Sequence, residues 1–384
     1  MKKILAKMDL WLLTLTVLYL ILGSIMIYSA SSILTFLKQD VPSNYYFVRQ
    51  LLILGVSFII SIIFLKIPTS KYRYFSSLAM FGILASLVGL YVSGKIANGT
   101  KGWYDLGFFN LQPAEFAKTI SIIYLAVVYN KLIANKEKNY LKYIAPLVLC
   151  GVAAGLVLLQ PDLGTALIIT GIAFGVFFAI PMPKNIKNQC LKFLGICGVV
   201  GAFVLVLFSD KVFNEYQIKR LQFQNPCSRY TESTGYQVCN GFIAIKNGGL
   251  FGLGFGNSTQ KYLYLPEAHT DFIFPIIIEE LGLIVGIFII IGYAFILYRI
   301  LLIAKASTNV RNSILAYGTF IYLLLHILIN LMGVLALIPL TGVPLPFFSY
   351  GGSFTLNEVI MLSICQRVSI ETQNTRIKEK ISAI

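Results

Sequence analysis

Residues 11–30 read WLLTLTVLYLILGSIMIYSA, an uncharged run that is apolar over most of its length. A helix needs about 20 such residues to cross the hydrocarbon core of a bilayer, and comparable runs recur along the chain. No small-residue cleavage site follows this first run, so we expect it to stay as a helix rather than to be removed as a signal peptide. The pattern predicts an all-α polytopic membrane protein.

The composition supports this fold class. The 384 residues are 57% hydrophobic and 12% charged, with a mean hydropathy of +0.78, which is too little charge to cover a soluble domain. We predict one transmembrane domain over 1–384, with a long outer loop near 210–270 and a tail near 370–384. It would contain about ten spans, at 11–30, 49–65, 75–93, 113–132, 143–160, 165–181, 192–209, 271–298, 313–337 and 353–369.

Lysine and arginine residues set the expected orientation. With the N-terminus inside, most of the 31 basic residues fall in cytoplasmic segments, and many of the others lie in the 210–270 loop, whose length weakens the rule. Both termini are therefore expected in the cytoplasm and the long loop outside. The net charge of +15 reflects this asymmetry, so nucleic acid is not an expected partner.

Two helix starts on the predicted outer side carry ionisable residues. In LQPAEFAK (111–118), Glu115 and Lys118 are three residues apart and share one helix face. They could form a surface ion pair at a capped helix start or the polar wall of a binding site. In QPDLGT (160–165), Asp162 could cap the next helix or line a cavity around the broken backbone.

Asp271 has the most unusual sequence context. The stretch YLPEAHTDFIF (264–274) places Glu267, His269 and Asp271 directly before an apolar helix. Position alone is consistent with a helix cap, but a cap explains neither His269 nor the basic loop upstream. Glu279 and Glu280 follow in the same run, where we expect them to support packing or a buried polar network rather than catalysis.

The segment PLTGVPLPFFSYGGS (339–353) contains three prolines, three glycines and no charge. It is expected to form an ordered re-entrant or capping loop, in which Ser349 could donate a hydrogen bond. The long outer loop adds cations, among them Arg220 and Lys261. These cations would suit a phosphorylated lipid headgroup or the polar face of a helix lying on the bilayer.

Cysteine and histidine spacing does not indicate a structural metal site. Cys227 and Cys239 lie in the same outer loop and would form a disulfide if the compartment is oxidising. The sequence leaves that pairing open.

Together, the segments NLQPAEFAK, QPDLGTAL, NGGLFGLGFGNSTQKYLYLPEAHTDFIF, EELGLIVG and TGVPLPFFSYGGS resemble the FtsW/RodA family of elongation, division and sporulation proteins, and the wording is most like the division branch. The resemblance implies ten membrane helices in the bacterial cytoplasmic membrane and a peptidoglycan glycosyltransferase that polymerises lipid II. It also implies a class B penicillin-binding protein and other divisome membrane proteins as partners. The essential carboxylate of the family corresponds to Asp271.

The chain departs from the family at several positions. Gly102 stands where relatives often have an arginine before Trp103, so that any basic role there would fall to Lys101. His326 stands where many relatives have glutamine, and Glu358 is not expected in the last helix. The sequence does not assign roles to His326 and Glu358.

Glycosyl transfer needs a base for the attacking sugar hydroxyl and cations for the departing diphosphate. We expect Asp271 to be the base, and the expected substrate-binding residues are Lys118, Glu115, Arg220, Lys101, Asp162, His269 and Ser349. No cofactor is identifiable, and no ligand cluster supports a Mg²⁺ ion shared between Asp271 and diphosphate. The alternatives are a lipid II flippase, for which charges should gather near the membrane midplane, and a scaffold without chemistry of its own.

Overall fold

The computed structural model describes the chain except for residues 1–4, 39–40, 98–99, 108–109, 208–222, 232, 263 and 383–384. In this described part the chain forms twelve α-helices and a small sheet. The helices are α1 (Leu10–Lys38), α2 (Tyr45–Lys66), α3 (Ser76–Ser93), α4 (Pro113–Ala134), α5 (Tyr140–Leu158), α6 (Leu163–Ala179), α7 (Lys184–Leu207), α8 (Ser233–Gly248), α9 (Ile273–Leu281), α10 (Leu283–Ala306), α11 (Val310–Val334) and α12 (Gly352–Ser382).

Seven of the described helices are long and apolar enough to cross a membrane: α1 to α5, α10 and α11. Helix α6 is equally apolar in character but shorter, with 17 residues. These helices confirm the polytopic all-α class. The count of ten spans stays a prediction.

The predicted span 271–298 is wrong as a single helix. The chain forms α9, leaves the helical conformation at Gly282 and continues as α10. Gly282 has φ +89°, a backbone conformation that residues with a Cβ atom rarely adopt. A Cβ atom placed on Gly286 would lie 3.1 Å from Ile278 and 3.5 Å from Phe274. Helix α9 therefore folds back against the start of α10 instead of extending it.

Two further elements differ from the sequence interpretation. A three-stranded antiparallel sheet of β1 (Lys95–Ala97), β2 (Thr100–Asp105) and β3 (Asn110–Leu111) follows α3, where no strand was predicted. The predicted tail is helical, since α12 continues from the bundle to Ser382.

Polar contacts join the helices at one end of the bundle, which we call the Asp9 end. Arg299 near the end of α10 pairs with Asp9 before α1 at 2.6 Å. The Glu371 carboxylate of α12 accepts hydrogen bonds from Thr69 at 2.7 Å and from Asn312 at 2.9 Å. The segments around Asp271 lie at the opposite end, the Asp271 end.

Candidate active site

The 339–351 segment enters the bundle from the Asp271 end. The Tyr293 hydroxyl of α10 donates a hydrogen bond to the carbonyl of Pro346, and the Phe348 ring packs 5.2 Å from Tyr19 in the first half of α1. Gly23 is required there, because a Cβ atom would collide with the backbone of Phe347. The segment is an ordered loop, as predicted, and it packs into the bundle; we refer to 339–351 as the re-entrant loop.

The backbone of 269–271 is held at three successive carbonyls. One donor is a backbone amide of the re-entrant loop, one is a serine hydroxyl of the same loop, and one is a side-chain amide of α11. The hydrogen bonds are Tyr350 N to His269 O at 2.9 Å, Ser349 Oγ to Thr270 O at 2.6 Å, and Asn330 Nδ2 to Asp271 O at 2.8 Å. The position of Asp271 is therefore fixed by the re-entrant loop and α11 together.

Asp271 itself lies in the turn before α9 and is 8% exposed. The residue at the N-cap position is Phe272, so the interpretation of Asp271 as the first helical residue is corrected. The Thr270 hydroxyl lies 3.2 Å from Oδ1 of Asp271 and 2.8 Å from Oε2 of Glu267. A Cβ atom placed on Gly342 would lie 3.9 Å from Oδ2, so a glycine of the re-entrant loop borders the carboxylate.

Lys118 and Glu115 form a buried ion pair of 2.8 Å, with the lysine side chain 0% exposed. The surface ion pair considered from the sequence is therefore wrong. Lys118 Nζ also lies 3.0 Å from Nε2 of His326. Because an ammonium group can only donate, that nitrogen must accept, and Nδ1 then carries the proton that faces the Pro344 carbonyl at 3.4 Å.

Asp162 caps α6, as one of its two predicted interpretations proposed. Its Oδ1 accepts the Thr165 N–H at 3.0 Å, and its Oδ2 accepts from Gln112 at 3.3 Å. A Cβ atom on Gly164 would meet Val343 of the re-entrant loop. The starts of α4 and α6 thus meet the re-entrant loop at the Asp271 end.

His269 is part of an aromatic cluster rather than an open polar surface. It is 6% exposed and packs 4.5 Å from the Tyr46 ring and 5.8 Å from the Tyr350 ring. In the part of the chain that the structure describes, its Nδ1 is buried without a hydrogen-bond partner. Burial lowers the pKa of His269, which favours the neutral ring.

Arg49 is a cation at this end that the sequence analysis missed. Its guanidinium lies 4.7 Å above the Tyr45 ring, and it also interacts with the side chain of Tyr350. The residue is exposed. Its only signal in the sequence is a single positive charge at the outer end of the second predicted span.

Other predicted site residues have different outcomes. Arg220 and the side chain of Lys101 lie outside the described residues. The Ser349 hydroxyl accepts from Leu345 N at 2.7 Å as well as donating to Thr270, so it is occupied by backbone groups.

The acidic pair at the end of α9 binds the loop before it. Glu280 forms a buried ion pair of 2.9 Å with Lys261 and accepts a hydrogen bond from Ser29. Glu279 accepts from Thr259 at 2.8 Å. The prediction of a buried polar network is confirmed, whereas the interpretation of Lys261 as a surface cation is wrong.

Cys227 and Cys239 form a disulfide with a Cα–Cα distance of 4.9 Å. It joins a short 3-10 turn, Pro226–Arg229, to α8, and the pairing that the sequence left open is present. Within the described ranges, no group of three or more His, Cys, Asp or Glu side chains could hold a metal ion.

A family model described as cell cycle protein, which covers FtsW, RodA and SpoVE, matches residues 9–374. The chain belongs to this FtsW/RodA/SpoVE family. A probable peptidoglycan glycosyltransferase FtsW of Bacillus subtilis is 34% identical over 99% of this chain and 95% of its own length. The stage V sporulation protein E of the same organism is also 34% identical, over 94% of this chain and 96% of its own.

Two solved structures share the fold. A chain from a peptidoglycan synthase complex that coordinates polymerization and crosslinking superposes with a TM-score of 0.73 at 22% identity, over 95% of this chain and 98% of that one. The rod shape determining protein RodA of Thermus thermophilus gives a TM-score of 0.66 at 24% identity, over 94% of this chain and 96% of that one.

Proposed function

We propose that this chain is a peptidoglycan glycosyltransferase that polymerises lipid II, with Asp271 as the general base. The proposal is based mainly on the three hydrogen bonds to the consecutive carbonyls of 269–271. They fix the backbone that carries the Asp271 carboxylate at one end of the helix bundle. A catalytic base must be held within hydrogen-bond reach of its proton. The reaction class follows that of the FtsW relative from Bacillus subtilis, a probable peptidoglycan glycosyltransferase.

The reaction joins two lipid-linked sugars. A hydroxyl oxygen of the acceptor forms a bond to the anomeric carbon of the donor, and the bond from that carbon to the diphosphate oxygen breaks. Asp271 takes the hydroxyl proton, and the diphosphate leaves with the bonding electron pair. The base must lie near the membrane surface, because both lipid tails remain in the bilayer.

The departing diphosphate needs cations. Lys118 is buried and already bound to Glu115 and His326, so we expect its positive charge to act on the diphosphate without direct contact. Asp162 lies at the start of the neighbouring helix α6. Arg49 is exposed and adjacent to Tyr350, which packs on His269 two residues from Asp271. A guanidinium binds phosphate oxygens in a bidentate manner, so we assign Arg49 to the diphosphate alongside Arg220 and Lys101.

The proposed orientation places both termini in the cytoplasm and the Asp271 end outside. The charge asymmetry supports it. The Cys227–Cys239 disulfide gives a second argument, because disulfides persist in oxidising compartments such as the bacterial exterior. The proposed partner is a class B penicillin-binding protein in a divisome, which would cross-link the polymer.

A lipid II flippase is the second candidate, because Lys118 contacts Glu115 and His326 inside the helices and Glu358 is buried as well. Purified protein and partner synthase supplied with lipid II in detergent separate the two activities. An enzyme produces glycan chains that resolve by length on a gel. A flippase has no second compartment in detergent and leaves lipid II unchanged, which would contradict the proposal.

A further inference from the structure

Glu358 is a buried carboxylate that the proposed chemistry does not use. It lies in the second turn of α12 and is 0% exposed. Its Oε2 accepts the backbone N–H of Phe347 at 3.2 Å, and in the described part of the chain its Oε1 is buried without a hydrogen-bond partner. Ionisable residues inside membrane spans are costly and mark functional positions.

Phe347, the partner of Glu358, has an unusual backbone. Its φ is +69°, a left-handed conformation that residues with side chains rarely adopt and that persists only where the surroundings hold it. The ring is buried at 2% exposure and stacks on Tyr293 with centroids 6.1 Å apart. Glu358 thus accepts the backbone N–H of the residue in the re-entrant loop that has a side chain and a left-handed backbone.

The turn at Phe347 determines where the next residues point. Ser349 N donates to the Leu345 carbonyl at 3.0 Å, and Ser349 Oγ accepts from Leu345 N at 2.7 Å. This closed turn presents the Ser349 hydroxyl to the carbonyl of Thr270, next to Asp271. Glu358 is therefore connected to the segment that carries the proposed base by its hydrogen bond to Phe347, by the backbone of the turn, and by the hydrogen bond from Ser349 to Thr270.

We infer that Glu358 is a positioning residue that fixes Asp271 through the left-handed turn at Phe347 and the Ser349 hydroxyl. This inference rests on the proposed function of Asp271. It concerns the placement of the base and not the binding of substrate, so it predicts a loss in kcat with little change in KM.

The first test compares Glu358→Leu, which removes the acceptor, with Glu358→Gln, which keeps an acceptor oxygen of the same reach. Ser363→Ala is the matched control, since Ser363 lies on the same helix and its hydroxyl donates to the carbonyl of Val359 of that helix. We expect the leucine variant to lose about 10²-fold in kcat, the loss typical of a misplaced catalytic group. The glutamine and alanine variants should stay within a few-fold of the wild type, and KM for lipid II should be unchanged in all.

Hydrogen–deuterium exchange gives a readout that does not depend on turnover. Amides in 345–350 and 269–272 should exchange faster in Glu358→Leu than in Glu358→Gln. Unchanged exchange in the leucine variant would overturn the inference while leaving the role of Asp271 intact. Faster exchange with normal turnover would also overturn it, whereas the role of Asp271 is tested separately by its own substitution.

Ser349→Ala tests the same connection between Glu358 and Asp271 without changing Glu358 itself. It therefore keeps the inference testable if the leucine variant does not fold. It removes the last hydrogen bond of this connection and should lower kcat with KM unchanged. Residues that act in one network give non-additive effects, so Ser349→Ala combined with Glu358→Leu should be no worse than the poorer single variant. Normal kcat for Ser349→Ala, or fully multiplicative losses in the double variant, would overturn the inference.

Discussion

A few ionisable residues lie buried in the apolar interior of this protein. Lys118 is 0% exposed, yet it contacts a carboxylate and an imidazole, so its charge is compensated within the helices. Removal of one partner of a buried pair leaves the other charge uncompensated, which costs far more than loss of the whole pair. The same reasoning applies to Lys261 and Glu280.

Glu115→Gln or Lys118→Met alone is therefore expected to lower the free energy of unfolding by about 3–5 kcal/mol. The double variant should be less destabilised than the sum of the two. Thermal unfolding of the detergent-solubilised variants measures these changes. Losses that simply add would show that the two side chains do not compensate each other.

Arg49 is expected to contribute to the binding of lipid II. Arg49→Ala should weaken lipid II binding and raise KM, with Arg49→Lys intermediate because a lysine lacks the bidentate geometry. Arg73 is a matched control, because its guanidinium also lies 4.7 Å above a tyrosine ring, that of Tyr74, but outside the candidate site. Equal effects of the two alanine variants on KM would remove Arg49 from the site.

His269 gives a pH dependence. Burial lowers its pKa in the folded protein, so around and below the ordinary value of about 6.5 the unfolded chain binds more protons. The free energy of unfolding then falls as the pH drops through that value. His269→Phe keeps a ring between Tyr46 and Tyr350, and its Tm should fall less than that of the wild type between about pH 7.5 and 5.5. Parallel curves would show that His269 does not contribute.

Among the elements, long helices were predicted well and interrupted ones poorly. Apolar length identifies α1 to α5 because a lipid-facing helix must be apolar regardless of its partners. The break at Gly282 depends instead on how α9 packs against α10, which apolar length cannot report. The small sheet after α3 is similar, since it depends on pairing between strands of only two to six residues.

The residues of the candidate site likewise differ in how well they could be predicted. Asp271, Glu115 and Asp162 stand out because an ionisable residue at the edge of a membrane-length apolar run is costly. Long-range pairing was not predictable, because Lys118 and His326 are 208 residues apart and nothing local in either segment indicates the other. Arg49 was missed for the same reason, since its importance depends on Tyr350 at the far end of the chain.

At the level of the entire protein, the proposed activity requires the Asp271 end to face outward. Cys197 is a free and exposed cysteine that would itself be labelled, so it is first replaced by serine. A cysteine introduced at Thr231 should then react with a membrane-impermeant maleimide in intact cells. A cysteine at Lys136 should react only after permeabilisation, and both positions are exposed. The reverse pattern would place the disulfide and the candidate site in the cytoplasm and would contradict the proposed reaction.

The central claim is that Asp271 is a general base, and Asp271→Asn tests it most directly. Asparagine keeps the shape of the side chain but removes its basicity, and loss of a positioned base typically costs about 10²–10⁴-fold in rate. The measurement is the initial rate of lipid II polymerisation by the purified variant with its partner synthase, with Glu267→Gln as the control because Glu267 is an exposed carboxylate of the same segment. We expect the Asp271→Asn protein to fold and bind its partner but to make almost no glycan, while Glu267→Gln polymerises normally. A normal rate for Asp271→Asn would contradict the account.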